Sequence, residues 1–457
     1  MKPSVFITGI SGFLGRSLLS VLDTSTYETI FLLVREPESL LIPDNVDNIK
    51  IVIGDLNNPD SYAEYLDSVE TVIHLAALTG KVKKKDYDDI NFMATSRLID
   101  LSKQNGVKKF LFISTIAVKF KKKRGYCYAL SKEKAENYLK ESGMEFTIFR
   151  PTIILGAGSA VFSGFSRFIG MPLIPFFGRG NIIVQPVDVK DVAQVIDVFS
   201  RNAHFDNKVY EIGGPDKVTL KDLILNISKA KNLKKRILSI PLFISTPLIM
   251  IADKLFYGFT PVTLGQLATF RNNGEASSDD LIKKIVNTPS SLEDMISDSI
   301  AGEKKENYKI SVKKECKLFC RYLIGSEPTP YVVDKYFQFL KKVDNNPKDE
   351  FDLFLINFAN KSLFFTRLSD SFSRFFRSDS LLRKRLGFLF AIIETSPEIY
   401  KKVDIIKEMN FFTLFITMAF KGTVFAFSLI LSLPILMPLK IIKSGNKKIR
   451  PEDSSDE

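Results

Sequence analysis

Tryptophan is absent from this chain of 457 residues, cysteine occurs three times and histidine twice. The cysteines, Cys127, Cys316 and Cys320, are too few for a disulfide framework, and their number is typical of a reducing compartment. Cys316 and Cys320 could share a helix face, but a metal site needs more ligands than this pair supplies. His74 and His204 are better explained as structural residues. We therefore predict neither a disulfide scaffold nor a metal site.

Acidic residues are outnumbered, with 52 Asp and Glu against 64 Lys and Arg, which gives a formal charge of +12. Such an excess indicates an anionic partner, which could be nucleic acid, a phosphorylated substrate or lipid headgroups. Nucleic acid is the least favoured of these, because the sequence has no Cys/His finger spacing and no aromatic RNA-binding signature. The 45% hydrophobic and 25% charged content is that of a globular protein with two or three domains.

The amino terminus leaves no room for a signal peptide. Its sequence, MKPSVFITG, places the first apolar residues in a strand that runs directly into a glycine turn. We therefore expect the amino-terminal part of the protein to stay in the cytoplasm.

That turn, TGISGFLG, lies between an apolar strand at Val5–Thr8 and an apolar helical pattern. Gly9 permits the tight turn, Gly12 lets the backbone approach a pyrophosphate, and Gly15 allows close packing of helix on strand. The phosphates would lie at the helix amino terminus, where free amides and the helix dipole favour negative charge. The turn thus predicts a dinucleotide site formed by Gly9, Ser11, Gly12, Phe13, Leu14 and Gly15.

Four more apolar strands are predicted at Thr29–Val34, Ile49–Ile53, Thr71–Leu75 and Lys109–Ser114, separated by helical or loop stretches. Continuous apolar strands are typical of a parallel sheet covered on both faces. The alternation predicts an α/β fold of the Rossmann type, a doubly wound parallel sheet. The cofactor should cross the carboxyl ends of its strands.

The residues that end these strands are candidate cofactor contacts. Arg35 follows the second strand, where an arginine accommodates a 2′-phosphate, so we predict NADP, with NAD as the alternative because Glu36 is adjacent. The other predicted contacts follow the third and fourth strands, and these are Asp55, Leu56, Leu75, Ala76 and Ala77.

Several motifs together resemble the extended short-chain dehydrogenase/reductase family of NAD(P)-dependent epimerases, dehydratases and hydroxysteroid dehydrogenases. They are TGISGFLG, GDL, HLAA, Asn91, a Ser-Thr strand end, YALSKEKAE and RPTIILG. The resemblance implies a catalytic set of Thr115, Tyr128 and Lys132, with Ser114 as the fallback for Thr115. It implies a structural and proton-relay role for Asn91.

The residue chemistry agrees with that set. A free phenol titrates near pH ~10, so tyrosine is a poor base until a nearby cation stabilises the phenolate. Lys132 lies one helical turn beyond Tyr128 and could be that cation, whereas Tyr126 has Leu130 at the same spacing. Thr115 would orient the substrate oxygen for hydride transfer.

A basic run, Lys119 to Arg124, precedes the tyrosine and departs from the family pattern. We expect a solvated loop and a more open site, although five cations could also steer a phosphorylated substrate or a membrane surface. Farther on, the Phe-rich span 157–180 suits an apolar substrate, and core packing explains it equally well.

We divide the chain at 1–235, the Rossmann domain with interleaved substrate-binding segments, 236–303, the rest of the substrate-binding part, and 304–457, a helical extension. Segment 236–257 is broken by two prolines and is predicted to be a core or interfacial segment. The extension carries a basic amphipathic pattern at 363–390 that suits a membrane interface or a small helical bundle. Its apolar segment 411–439 is followed by cations, so we predict monotopic attachment to the inner membrane face, with a buried helical extension or an even number of membrane crossings as the alternatives.

The sequence thus predicts an oxidoreductase that interconverts a secondary alcohol and a ketone, on a lipid-like or phosphorylated small molecule of unknown identity. Two alternatives stay open: a nucleotide-sugar epimerase or dehydratase with retained NAD, and a non-catalytic, cofactor-binding structural subunit. A homo-oligomer is compatible with all three.

Overall fold

The computed structural model describes residues 2–37, 46–80, 82–171, 173–178, 180–202, 204–255, 266–277, 281–343, 350–376 and 379–394. The chain divides into two compact units, Met1–Lys304 and Lys305–Glu457. All the predicted catalytic and cofactor residues lie in the first unit.

The described residues form thirteen strands, and these are β1 (Val5–Thr8), β2 (Ile30–Val34), β3 (Ile49–Ile53), β4 (Thr71–His74), β5 (Lys109–Ile113), β6 (Glu145–Pro151), β7 (Ile154–Leu155), β8 (Leu173–Phe177), β9 (Ile183–Val184), β10 (Val187–Asp188), β11 (Lys208–Ile212), β12 (Val218–Thr219) and β13 (Arg236–Ile240). Seven of them form one sheet in the order β3-β2-β1-β4-β5-β6-β11. Every neighbouring pair is parallel. The predicted doubly wound parallel sheet is confirmed, and its strand order reverses between β1 and β4, where such sheets bind ligands.

The α-helices of the described residues are α1 (Phe13–Val21), α2 (Lys84–Tyr87), α3 (Thr95–Gln104), α4 (Cys127–Glu141), α5 (Ala160–Gly170), α6 (Val189–Ser200), α7 (Leu220–Ala230), α8 (Leu242–Leu255), α9 (Leu281–Ile285), α10 (Leu292–Ile324), α11 (Pro330–Val343), α12 (Glu350–Ala359), α13 (Leu363–Phe376) and α14 (Leu381–Glu394). A π-helical turn at Asp88–Ala94 joins α2 to α3.

Alternation along the strands separates two apolar cores, one on each face of the sheet. Val5 and Ile7 belong to the core that includes α1 and α6. Phe6 belongs to the other core, which includes α3 and α4. Because both faces are covered, β1, β2, β4 and β5 are buried along their whole length, which is why they read as unbroken apolar runs.

The substrate-binding part has its own core, built from α5, α7, the parallel pair β8 and β13, and the start of α10. Phe162 and Phe176 are each 1% exposed in this core. The Phe-rich span is therefore explained at these two positions by packing, and they give no support to an apolar substrate. Segment 236–257, predicted to be core or interfacial, forms β13 and then α8 with Pro247 inside the helix.

In the second unit, the described residues pack as helices around a core that includes Cys316, Tyr336, Phe372 and Leu386. The helical pattern predicted at 363–390 divides into α13 and α14, and its leucines other than Leu363 are buried, which fits a small helical bundle. Among the described residues, no helix is long and apolar enough to cross a membrane. Segment 411–439, for which we predicted membrane attachment, lies outside them.

Candidate active site

The glycine turn connects β1 to α1 at the switch point of the sheet. Gly9 has φ +77°, and a Cβ there would lie 2.4 Å from the backbone nitrogen of Ala76, so only glycine fits. Gly12 caps α1 without a side-chain hydrogen bond, which leaves the first amides of the helix for another acceptor. A Cβ on Gly12 would meet only the Gly9 carbonyl, at 3.1 Å. This open helix terminus fits a dinucleotide pyrophosphate.

The other predicted cofactor residues follow β2, β3 and β4 at the same edge of the sheet. Arg35 is exposed directly after β2. Asp55 is half-buried after β3, and its carboxylate accepts a hydrogen bond from the amide of Asn57 at 2.8 Å. Leu75 and Ala76 contact the turn at Gly9. The fold thus brings the predicted contacts to one edge, although their roles stay predictions.

His74 ends β4 and is completely buried. Its Nδ1 lies 2.6 Å from the Thr8 hydroxyl, and its Nε2 lies 2.9 Å from the Thr95 hydroxyl. Burial holds its pKa well below the usual value, with a further lowering by Lys132. His74 is therefore a neutral structural residue that connects two strands to α3.

Thr115 and Tyr128 are brought together where β5 ends and α4 begins. Thr115 caps a 3₁₀ turn at Ile116–Lys119, where its hydroxyl accepts a hydrogen bond from the Ala117 amide at 3.3 Å, and it lies close enough to the Tyr128 phenol to influence its pKa. Ser114, the fallback, is 3% exposed and donates its hydroxyl hydrogen to Glu136 at 2.5 Å. The structure therefore places Thr115, and not Ser114, beside the tyrosine.

The pKa of Tyr128 is raised to about 12, chiefly by burial, and the ring of Tyr87 adds to the rise while the Thr115 hydroxyl opposes it. The expected lowering by the Lys132 cation is thus wrong for the protein without ligand. Desolvation disfavours the phenolate more strongly than its neighbours favour it. Tyr128 is a protonated phenol throughout the physiological range, and it can donate a proton.

Lys132 lies one turn farther along α4 and is 1% exposed. Burial lowers its pKa to about 7, and the nearby carboxylate of Glu136 partly opposes this shift. Its Nζ lies 4.0 Å from the centroid of the Phe112 ring, which favours the charged form. Lys132 can therefore gain or lose a proton near neutral pH, a property typical of functional lysines.

Because the buried amine is costly to protonate, we expect Lys132→Met to stabilise the ligand-free protein by about 1–2 kcal/mol. The pKa of Lys132 is about 7 in the folded protein and 10.5 for an exposed lysine. Between these pH values, Lys132 is therefore protonated in the unfolded chain and neutral in the folded protein. Wild-type stability should therefore rise from pH 7 to 10.5, and the advantage of the variant should shrink. Urea unfolding at pH 6, 8 and 10 measures this, and a constant difference would contradict it.

A buried ionic cluster behind the catalytic residues was missed by the sequence analysis. Glu136, completely buried, accepts hydrogen bonds from Arg150 Nε at 2.9 Å and Nη2 at 2.5 Å, in addition to that from Ser114. These contacts hold its pKa below the usual value against the effect of burial. A usable signal was present, since Glu136 stands one turn beyond Lys132 and Arg150 belongs to the RP motif. The cluster joins α4 to the ends of β5 and β6.

Asn91, in the π-helical turn, connects the segment after β4 to α4. Its side chain accepts a hydrogen bond from the Leu78 amide at 2.7 Å and donates to the Leu78 carbonyl at 3.0 Å. It also donates to the Ser131 hydroxyl at 3.2 Å. These bonds fix the loop that carries Ala76 and Ala77.

Two further tyrosines lie against Tyr128. The ring centroid of Tyr126 is 6.0 Å from that of Tyr128, and the centroid of Tyr87 is 6.2 Å away. Burial raises the pKa of Tyr126 as well. Spacing excluded Tyr126 from the catalytic role, but sequence gave no indication that it lies beside the site, and Tyr87 was missed.

The basic run is not wholly solvated. Lys119 is paired with Glu211 at 2.8 Å, and Lys123 is paired with Glu133 at 2.6 Å. The amide of Lys122 donates to the side chain of Asn272 at 3.1 Å. The expected solvated loop is thus correct only in part, because two of its five cations are paired with carboxylates and the loop is held against segment 266–277.

Residues 5–213 match the family model described as the NAD dependent epimerase/dehydratase family. This part of the chain is similar to that family. The match ends shortly after β11, so it covers the sheet and the candidate site.

Three curated relatives of this epimerase/dehydratase domain have different functions. A UDP-glucose 4-epimerase of Vibrio cholerae is 29% identical over 43% of this chain and 66% of its own length. NADH dehydrogenase [ubiquinone] 1 alpha subcomplex subunit 9 of Dictyostelium discoideum is 27% identical over 47% of this chain and 60% of its own. A ceramide reductase of Caulobacter vibrioides is 25% identical over 43% of this chain and 61% of its own. The chain spans less than two thirds of each of these relatives.

Among solved structures, gox2253 is similar with a TM-score of 0.54 and 21% identity, over 66% of this chain and 98% of that one. This likeness shows the fold of the epimerase/dehydratase domain and does not indicate a substrate.

Proposed function

We propose that this protein is an NADP-dependent oxidoreductase that interconverts a secondary alcohol and a ketone at Thr115, Tyr128 and Lys132. One observation carries the proposal: the Thr115 hydroxyl lies beside the Tyr128 phenol, and Lys132 is buried one helical turn away. A hydroxyl pair of this kind can bind one substrate oxygen and transfer a proton to or from it. The bound nicotinamide would supply or accept the hydride.

The raised pKa of Tyr128 keeps its phenol protonated in the ligand-free site, which favours ketone reduction over alcohol oxidation. A protonated phenol donates its proton to the ketone oxygen as hydride reaches the carbon. Thr115 holds that oxygen in line, and a charged Lys132 stabilises the phenolate that remains. The charged Lys132 can then return a proton to the phenolate, and its pKa of about 7 allows solvent to protonate it again.

The experiment for this proposal is a test of net turnover. Purified protein is incubated with NADPH and a panel of ketones, including long-chain and phosphorylated ones, and the loss of absorbance at the nicotinamide wavelength is followed. We expect net oxidation of NADPH with at least one ketone. If the protein instead retains oxidised NAD through purification and converts UDP-sugars without net cofactor change, the epimerase alternative replaces the proposed oxidoreductase.

The relatives support each alternative with one example. The epimerase of Vibrio cholerae favours a nucleotide-sugar substrate, and the NADH dehydrogenase subunit favours a non-catalytic role. The ceramide reductase favours reduction of a lipid-like ketone. We prefer the last, because the chain retains Tyr128 and Lys132 and because its excess of cations suits a lipid surface or a phosphorylated substrate.

Arg35 supports NADP as the cofactor, because a guanidinium at the end of β2 can bind the 2′-phosphate with charge-assisted hydrogen bonds. We expect Arg35→Ala to weaken NADPH binding by about 10- to 100-fold and to leave NADH binding unchanged. Fluorescence titration of both nucleotides measures this. Arg97→Ala, at an exposed arginine on α3, is the control. Equal affinities of the wild type for NADPH and NADH would contradict the assignment.

Membrane attachment through segment 411–439 stays a proposal, supported by its apolar sequence and the cations that follow it. Fractionation of the full chain against a version that ends near residue 405 tests it. We expect a larger share of the full chain than of the shorter version to sediment with membranes, and a full chain that stays in the supernatant would contradict attachment.

A further inference from the structure

Helix α8 has two apolar faces, and only one is covered. On the inner face, Leu242 and Ile249 pack against a small core that includes Phe177 and Leu267. On the outer face, Phe243 is 79% exposed, Ile244 44% and Met250 53%. Residues 243, 247 and 250 follow the spacing of one helical stripe, so the exposed side chains described on α8 lie along one line. Packing of the inner face does not explain why the outer face also carries large apolar side chains.

The strand that precedes α8 and its partner carry exposed apolar side chains of their own. Arg236 of β13 pairs with Leu173 of β8, and paired residues of parallel strands point to the same face. Leu238, two residues beyond Arg236, points to that face as well. Leu173 and Leu238 are each 51% exposed, whereas Ile174, on the opposite face, is fully buried. This face of the β8–β13 pair is therefore exposed at Leu173, Arg236 and Leu238, and it is covered farther along the strands, where Phe177 and Ile240 pack with the inner face of α8.

Between Asp222 and Asp253, the second of which lies on α8, every charged residue is basic. Residues 223–252 contain no acidic residue and contain five cations, which are Lys229, Lys231, Lys234, Lys235 and Arg236. Lys231 is paired with Glu303, and Lys235 donates to the Met171 carbonyl at 2.9 Å. Lys234 and Arg236 are exposed, and the described residues provide no carboxylate partner for either. Two unpaired cations therefore border the exposed apolar side chains.

We propose that this surface, which we name the α8 surface and define by Leu173, Arg236, Leu238, Phe243, Ile244 and Met250, docks on an anionic lipid bilayer. Apolar side chains at the acyl boundary with cations at headgroup level are the combination that binds such an interface. A protein partner would need acidic residues set against Lys234 and Arg236, whereas a bilayer of anionic lipid supplies negative charge over its whole area. The bilayer is therefore the occupant that both the charge and the apolar exposure favour.

This inference does not depend on segment 411–439 or on the proposed reaction. The α8 surface belongs to the substrate-binding part of the first unit, and it contains none of the candidate catalytic or cofactor residues. If the substrate is lipid-like, docking through this surface would present the substrate-binding part to the membrane that contains it.

The test is co-sedimentation of the full-length protein with vesicles of 70% phosphatidylcholine and 30% phosphatidylserine, and with pure phosphatidylcholine. We expect the double variant Phe243→Ser/Arg236→Glu to lower partition into the anionic vesicles about tenfold or more. The control is Ile53→Ser/Lys50→Glu, which makes the same two chemical changes on β3, the edge strand, where Ile53 is 64% exposed. The control should bind like the wild type.

Other outcomes overturn the proposal. Equal partition of the wild type and the Phe243→Ser/Arg236→Glu variant would show that the α8 surface does not contact the bilayer. A wild-type dimer that this variant dissociates in sedimentation-velocity runs, without vesicle binding, would identify a second copy of the chain as the occupant. Far-UV circular dichroism of both variants establishes that they are folded. Because vesicle binding is measured without cofactor or substrate, failure here would leave the proposed reaction untouched.

Discussion

Tyr128→Phe is expected to lower the turnover rate by about 10³-fold and to leave NADPH affinity within about twofold of the wild type. The substitution removes one oxygen, and with it the proton donor that lies beside Thr115. The ring stays between its neighbours Tyr87 and Tyr126, so the packing of the site is retained. Steady-state kinetics on the substrate found in the ketone screen, together with nucleotide titration, gives both numbers.

Tyr126→Phe is the matched control, because it removes the same atom from a ring 6.0 Å away. We expect its turnover to stay within about threefold of the wild type, since Tyr126 does not lie one helical turn before Lys132. If both variants lost activity equally, general damage to the tyrosine group would explain the loss. If Tyr128→Phe kept full activity, the structural-subunit alternative would replace the enzyme.

The fold and the main site could be predicted because each depends on local sequence. The glycine turn, the apolar strands and the spacing of Tyr128 and Lys132 are all encoded within one or two elements. Parallel-sheet topology then brings the carboxyl ends of separate strands to one edge. Thr115 beside Tyr128 and Arg35 after β2 follow from that rule.

Properties that depend on burial and on distant partners could not be predicted in the same way. The spacing of Tyr128 and Lys132 does not indicate how deeply both lie, and depth decides that the pKa of Tyr128 rises and that of Lys132 falls. In the same way, the sequence does not indicate that Lys119 is paired, because its partner Glu211 lies 92 residues away. Charge counting along a sequence overestimates the free charge of a folded surface for this reason.

The ionic cluster around Glu136 gives the largest expected effect on stability. Its carboxylate is the shared acceptor for Ser114 and Arg150, which come from two different strands. Glu136→Gln removes the negative charge and leaves the half-buried guanidinium of Arg150 without its counter-ion. Breaking a buried pair in this way costs about 3–5 kcal/mol. We therefore expect a loss of about 3 kcal/mol in the free energy of unfolding, measured by urea denaturation at pH 7.

Glu133→Gln is the control for this prediction, because Glu133 lies on the same helix and its pair with Lys123 is partly exposed. An exposed pair contributes at most about 1 kcal/mol, so this variant should be nearly as stable as the wild type. Replacement of both members, Glu136→Leu with Arg150→Met, should recover most of the lost stability, since no uncompensated charge remains. Equal losses in Glu136→Gln and Glu133→Gln would mean that burial of the cluster does not determine its contribution.

The same cluster connects stability to catalysis. The carboxylate of Glu136 accepts a hydrogen bond from the hydroxyl of Ser114, the residue before Thr115. The same carboxylate raises the pKa of Lys132, which lies one helical turn away. Removal of the carboxylate should therefore lower the Lys132 pKa further below 7. In the ketone reduction assay, the pH at which activity falls to half should move to lower pH in Glu136→Gln. A merely structural role for Glu136 would lower the amount of folded protein without moving this pH profile.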